Sequence, residues 1–234
     1  MERIDKIAGT FDRREPEGDF SDVPTAVVRR LPRYYRYLGE LLGAGELRIS
    51  SARLSALMGV TASQIRQDLN CFGGFGQQGY GYNIPYLHRK IGELLGVEAG
   101  FSAEVVGAGN LGQALVSSRM FERRGVRRLA LFDIDPAKIG TRMADLCVLP
   151  YAELGRFCRD NHVTIGVLTT PKEAAADVAH LLAENGVRGI WNFTNTELSL
   201  PGRDVCVENI HLADSLMKLC YELKVRTLKE DREA

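Results

Sequence analysis

The sequence has no apolar run long enough to cross a bilayer, and its first twenty residues are charged, without the apolar stretch of a secretory signal. The expected location is the cytoplasm, with no membrane partner. Its five cysteines, Cys71, Cys147, Cys158, Cys206 and Cys220, are odd in number and lack any C-x-x-C or Cys/His spacing. Free thiols are expected, and no metal. Neither sign of charge is in excess, since 30 Lys and Arg balance 30 Asp and Glu. The distribution is less even: residues 20–96 carry nine basic against five acidic side chains, and the rest is slightly acidic. Counterion release depends on the local patch, so overall neutrality does not exclude DNA. There are no internal repeats or low-complexity tracts, and 234 residues allow one or two domains.

The most specific string is Ala103-Glu-Val-Val-Gly-Ala-Gly-Asn-Leu-Gly112, an apolar strand running into Gly-x-Gly-x-x-Gly with a helical pattern behind it. Gly107 permits the tight turn, Gly109 lets backbone approach a pyrophosphate, and Gly112 lets the helix pack closely on the sheet. The helix start adds N–H groups and a positive dipole end. A second apolar run, Leu129–Phe132, ends in Asp133, where a ribose-binding acid belongs. Strand candidates at 103–106, 128–132, 163–168, 188–193 and 204–207 alternate with helical patterns near 110–123, 136–144, 151–160 and 172–185. That alternation predicts a doubly wound, mainly parallel α/β sheet of Rossmann type.

Upstream, residues 1–20 read as a disordered tail. Helical spacing runs from Pro24 to Leu42, with Pro32 expected to kink or restart the helix. A serine-capped helix follows over 49–58, then Gly59-Val60, then Thr61-Ala-Ser-Gln64 in capping-box form ahead of Ile65 and Leu69. Helix, glycine turn, helix is the shape of a helix-turn-helix. Its second helix exposes Ser63, Gln64, Arg66, Gln67 and Asn70, with Arg66 suited to guanine and Gln67 or Asn70 to adenine. Arg29, Arg30, Arg33 and Arg36 are placed to touch phosphates. Residues 73–82 interleave glycine with aromatics, as a two-stranded wing does; Tyr80 is a candidate DNA contact and Tyr82 a packing residue. The expected domains are 21–84 for the winged helix, 85–100 for a connector helix and hinge, 101–207 for the dinucleotide domain and 208–230 for a C-terminal helix. That last helix is apolar along Leu212, Leu216, Leu219 and Leu223, and spacing leaves open whether its own domain or a second subunit covers it.

From Arg30 to Leu223 the chain resembles the Rex family of redox-sensing repressors. The matching strings include Arg30-Leu-Pro-Arg-Tyr-Tyr-Arg-Tyr-Leu38, Gln64-Ile-Arg-Gln-Asp-Leu69, Gly79-Tyr-Gly-Tyr82, Gly107-Ala-Gly-Asn-Leu-Gly112, Phe132-Asp-Ile-Asp-Pro-Ala-Lys-Ile-Gly140 and Gly189-Ile-Trp-Asn-Phe-Thr194. The resemblance implies a winged helix joined to a Rossmann domain, in a homodimer whose C-terminal helix is swapped onto the partner. It implies a repressor that holds palindromic double-stranded operator DNA and is released by NADH, with NADH and NAD+ as ligands and no catalysis. It assigns the pyrophosphate loop to Gly107, Gly109, Asn110, Leu111 and Gly112, the adenosine ribose to Asp133, the end of the fourth strand to Thr169, Thr170 and Pro171, and the nicotinamide side to Asn192 and Phe193. Two departures stand together: Ser118 replaces the family's tyrosine after the glycine loop, and His211 replaces the aspartate opening the swapped helix. They leave two effector readings, a substitute pair that still senses NADH or a response to NAD+ or ADP/ATP. A small NAD(P)-dependent oxidoreductase is the competing class, opposed by the missing substrate domain and the lack of an acid/base pair beside the loop.

Overall fold

The computed structural model describes residues 23–71, 76–77 and 81–233. The expected tail, Tyr80 and much of the expected wing lie outside the described residues. The chain divides into two compact units at Val97/Glu98.

In the first unit, α1 (Thr25–Val28) and α2 (Leu31–Gly43) are separate helices, with Pro32 in the first turn of α2, where its missing N–H costs nothing. Two short helices follow, α3 (Ser51–Met58) and α4 (Ala62–Asn70). Ser50 caps α3 by accepting from the Arg53 N–H at 3.1 Å, and Thr61 caps α4 by accepting from the Gln64 N–H at 3.1 Å. The strands β1 (Arg48–Ile49), β2 (Gly76–Gln77) and β3 (Gly81–Asn83) form an antiparallel sheet in the order β1-β3-β2, and α5 (Ile84–Leu94) closes the unit. Tyr34 and Leu38 of α2, Leu54 of α3, Ile65 of α4 and Leu87 of α5 meet in one core. Tyr82 is buried there, as expected of a packing residue.

The second unit contains β4 (Ser102–Val106), α6 (Asn110–Ser117), β5 (Arg127–Asp133), β6 (Arg142–Met143), β7 (Leu146–Pro150), α7 (Leu154–Asn161), β8 (Ile165–Leu168), α8 (Lys172–Glu184), β9 (Gly189–Asn192), β10 (Cys206–Asn209) and α9 (Leu212–Glu233). The sheet runs β10-β9-β8-β4-β5-β7-β6, parallel throughout except for β6 on β7. Numbered in chain order, its parallel strands read 3-2-1-4-5-6, and the order reverses between β4 and β8, where such sheets bind ligands.

Two local expectations are corrected. Residues 136–144 form no helix: Asp135 opens a turn by accepting the Ala137 N–H, and Gly140 and Ala144 take positive φ, so the chain folds into the β6–β7 hairpin. α6 stops at Ser117, leaving Ser118 extended beyond it, its hydroxyl accepting from the Met120 N–H at 3.2 Å.

Within this core Glu104 of β4 is fully buried, with Cys158 Sγ of α7 at 3.1 Å from both carboxyl oxygens. Burial pushes its carboxyl up to about 7. Between the ordinary value of 4.5 and about 7, the unfolded chain releases this proton and the folded chain keeps it. The group's contribution to stability therefore falls as pH rises through that window and levels off above it. Denaturant titrations at about pH 5 and about pH 8 should show Glu104→Gln losing less stability than the parent over this rise; equal losses would refute the assignment.

Candidate nucleotide site and DNA-reading face

Backbone and side chains from three strand ends meet at the sheet's reversal point. Gly107 leaves β4 at φ +107°, and its N–H donates to the Phe132 carbonyl at 2.8 Å. A Cβ there would lie 2.8 Å from the Thr169 carbonyl oxygen, and one at Gly112 would run into the Gly107 carbonyl oxygen. These two glycines are demanded by the fold itself. Gly109 differs: it caps α6 in an extended conformation, and a Cβ on it would have nothing within 4 Å. The space over Gly109, at the start of α6, is open to an anion.

Asp133 ends β5 beside this loop. Its Oδ2 accepts from the Ala108 N–H at 2.7 Å and from Lys138 Nζ at 3.3 Å, and its Oδ1 accepts from the Asp135 N–H at 2.8 Å. Burial acts to raise the carboxyl, but the Asp135 and Ala108 N–H groups and Lys138 outweigh it and hold the group below the usual carboxylate range. At the end of β8, the Thr169 hydroxyl donates to the Gly107 carbonyl at 2.8 Å. Thr170 Oγ1 is buried without a hydrogen-bond partner among the described residues. An orphaned hydroxyl is costly, and this one is shielded from the surface. The open space over Gly109 at the start of α6 fits the pyrophosphate of a dinucleotide. Pro171 is exposed at the start of α8.

The remaining expected residues divide. Asn192 is fully buried and its amide is spent inside the protein, donating to the Thr196 carbonyl and Asn209 Oδ1 and accepting from the Thr194 N–H and hydroxyl. It shapes the loop after β9. Phe193 packs against Trp191, with ring centroids 4.6 Å apart. Ser118 lies at the far end of α6 from the glycine loop, and His211 Nε2 meets Glu197 Oε2 at 2.8 Å. Each has its own partner within the chain. Sequence reasoning missed Lys138, which tethers Asp133, and Ile134, 78% exposed beside it; both stand in the Phe132–Gly140 string that carries part of the resemblance.

On the first unit, Ser63, Arg66, Gln67 and Asn70 form one exposed stripe of α4, and Arg66 Nη1 donates to Ser51 Oγ at 3.2 Å. Arg29 is exposed at the end of α1. Three expectations shift: Arg30 donates from Nε and Nη2 to the Asp68 carboxylate, Arg33 Nη2 donates to the Met58 carbonyl, capping the end of α3, and Gln64 is half-buried, its amide donating to Asp68 Oδ1 at 2.7 Å. Among the described residues no helix is long and apolar enough to span a membrane, and no cluster of His, Cys, Asp or Glu could hold a metal.

Residues 22–70 match the family model described as "Putative DNA-binding protein N-terminus", and residues 102–196 the one described as "CoA binding domain". The chain is 49% identical to the redox-sensing transcriptional repressor Rex of Caldicellulosiruptor bescii, over 90% of this chain and 97% of that protein. Against the Rex repressor of Clostridioides difficile it is 47% identical, over 87% and 96%. The crystal structure of RSP with β-NAD+ and operator DNA matches with a TM-score of 0.82 at 45% identity, over 90% and 97% of the two chains. RSP with β-NADH matches at 0.82 and 43%, over 90% and 99%. On this identity and coverage, with a helix-turn-helix unit and a Rossmann unit in one chain, the protein belongs to the Rex family of redox-sensing transcriptional repressors.

Proposed function

We propose that this chain is a cytoplasmic transcriptional repressor that holds palindromic operator DNA as a homodimer and lets go when NADH fills the cradle at β4 and α6. The observation that carries this reading is the open space over Gly109 at the start of α6, in a chain that also exposes the α4 stripe. Backbone from Gly107 to Gly112 holds the pyrophosphate, Asp133 the adenosine ribose, and Thr169, Thr170 and Pro171 the opposite wall. Phe193 lies on the nicotinamide side, with Asn192 holding its loop in shape. The ligand acts by occupancy, no bond is made or broken, and the protein is no enzyme. Coupling follows if NADH prefers the dimer geometry that DNA rejects.

Anisotropy on a palindromic duplex, titrated separately with NADH, NAD+, ATP and ADP, tests this. NADH alone should release the duplex. Release by another adenylate instead would favour the second effector reading, to which the His211–Glu197 pair lends weight because it occupies His211 with a partner in its own chain. Turnover of an alcohol or hydroxy acid would restore the oxidoreductase. Arg66 reads a base in this account, so Arg66→Ala should cost about 1–3 kcal/mol of operator binding and relax preference at one base pair. A uniform loss at every pair would make Arg66 a phosphate contact.

A further inference from the structure

The inner side of α4 carries a polar cluster that base reading leaves unexplained. Asp68 is fully buried, and its carboxylate accepts from four donors. Arg30, at the start of α2, grips it with Nε on Oδ2 and Nη2 on Oδ1, both at 2.7 Å. The Tyr34 hydroxyl donates to Oδ2 at 2.9 Å, and Gln64, one turn back along α4, donates to Oδ1 at 2.7 Å. A buried carboxylate is tolerated only when its acceptor capacity is filled, and a planar guanidinium on two oxygens fixes direction as well as distance. Apolar contacts of Ile65 and Leu69 hold α4 against the core but permit sliding and rotation; the fork permits neither. The outward stripe, Ser63, Arg66, Gln67 and Asn70, is aimed by whatever fixes the rotation of α4 about its own axis.

We propose that Asp68 is the positioning residue of the DNA-reading helix, and that Gln64 belongs to its grip and does not read a base. Gln64 lengthens the cluster along α4, so that the carboxylate is held from α2 and from its own helix together. The inference rests on the DNA-binding reading above. Within α4 it places sequence discrimination on the four outward side chains.

The full-length protein first selects a palindromic duplex from a random-sequence pool. Affinity is then measured by anisotropy for that duplex, for a panel with each base pair of one half-site changed singly, and for a scrambled duplex. Gln64→Met keeps the length and helix propensity of the side chain and removes only its hydrogen bonds; Asp68→Asn keeps the shape and removes the charge. Each should lower affinity for the selected duplex by about tenfold or more, leave the order of preference within the panel unchanged and leave the scrambled duplex unaffected. Collapse of discrimination at one pair in Gln64→Met would overturn the inference by making Gln64 a reader. Parent-like affinity in both variants would overturn it by making the cluster a matter of stability only. Should Asp68→Asn fail to fold, Gln64→Met still decides the matter. Failure of the parent to select any palindrome is a different result, which removes the repressor reading itself.

Discussion

A Gly109→Val variant holds operator DNA as its parent does and no longer answers to NADH. The reason lies in how differently the loop's glycines are used. Valine at Gly112 would drive into the Gly107 carbonyl oxygen, and at Gly107 it would meet the Thr169 carbonyl in a backbone conformation that only glycine takes readily. Both changes attack the fold. Gly109 has extended backbone and empty space where its side chain would begin, so the fold itself does not require glycine there. What valine removes is the approach of a pyrophosphate to the N–H groups at the start of α6. Losing two or more charge-assisted hydrogen bonds should weaken NADH by about a hundredfold or more. Energy transfer from Trp191, the chain's single tryptophan, to bound NADH measures this directly. Thermal stability of the free protein should change little, within about 0.5 kcal/mol. An unchanged NADH response would show that the pyrophosphate does not lie over Gly109.

Much of this site was legible because its chemistry is carried by backbone, and backbone demands announce themselves as glycines at fixed spacing. The capping residues Ser50 and Thr61 marked helix starts for the same reason, each satisfying an N–H that the helix leaves unpaired. The structure adds what local pattern does not carry where three-dimensional context competes with it. Residues 136–144 carry helical spacing, but Asp135 opens a turn with the Ala137 N–H, and Arg142 and Met143 pair with β7 instead. Gln64 has the polarity and place of a base reader, yet a carboxylate four residues on lies closer than any groove. Asn192 sits where a ligand contact was expected, but its donors and acceptors are claimed by Thr194, Thr196 and Asn209. None of these partners is adjacent in a way that periodicity reveals.

Removing α9 is expected to separate the subunits and with them most of the operator affinity. Leu212, Leu216, Met217, Leu219, Tyr221, Leu223 and Leu228 are each 50–69% exposed along this helix, an apolar arc broader than the single stripe that spacing had indicated. Covering them on a second copy would contribute on the order of 10 kcal/mol per helix before association costs. The same unit carries an apolar groove of about 370 Å³ lined by Phe121, Val126, Ile165, Trp191 and Val207, which runs along β8, β9 and β10 and offers a surface that could receive such a helix. The cut should follow His211, so that Asn209 stays to hold Asn192 and the sheet edge remains paired. Sedimentation should then give monomers, or aggregates seeded by the bared groove. Each reading head would bind alone, and losing the linked second head should lower affinity for a palindrome by about 10²- to 10⁴-fold. NADH binding, which needs only the loop of one chain in this account, should survive the cut in whatever monomer stays soluble. A truncated protein that remains a dimer with full operator affinity would place the subunit contact elsewhere, and the apolar arc of α9 would then require another partner.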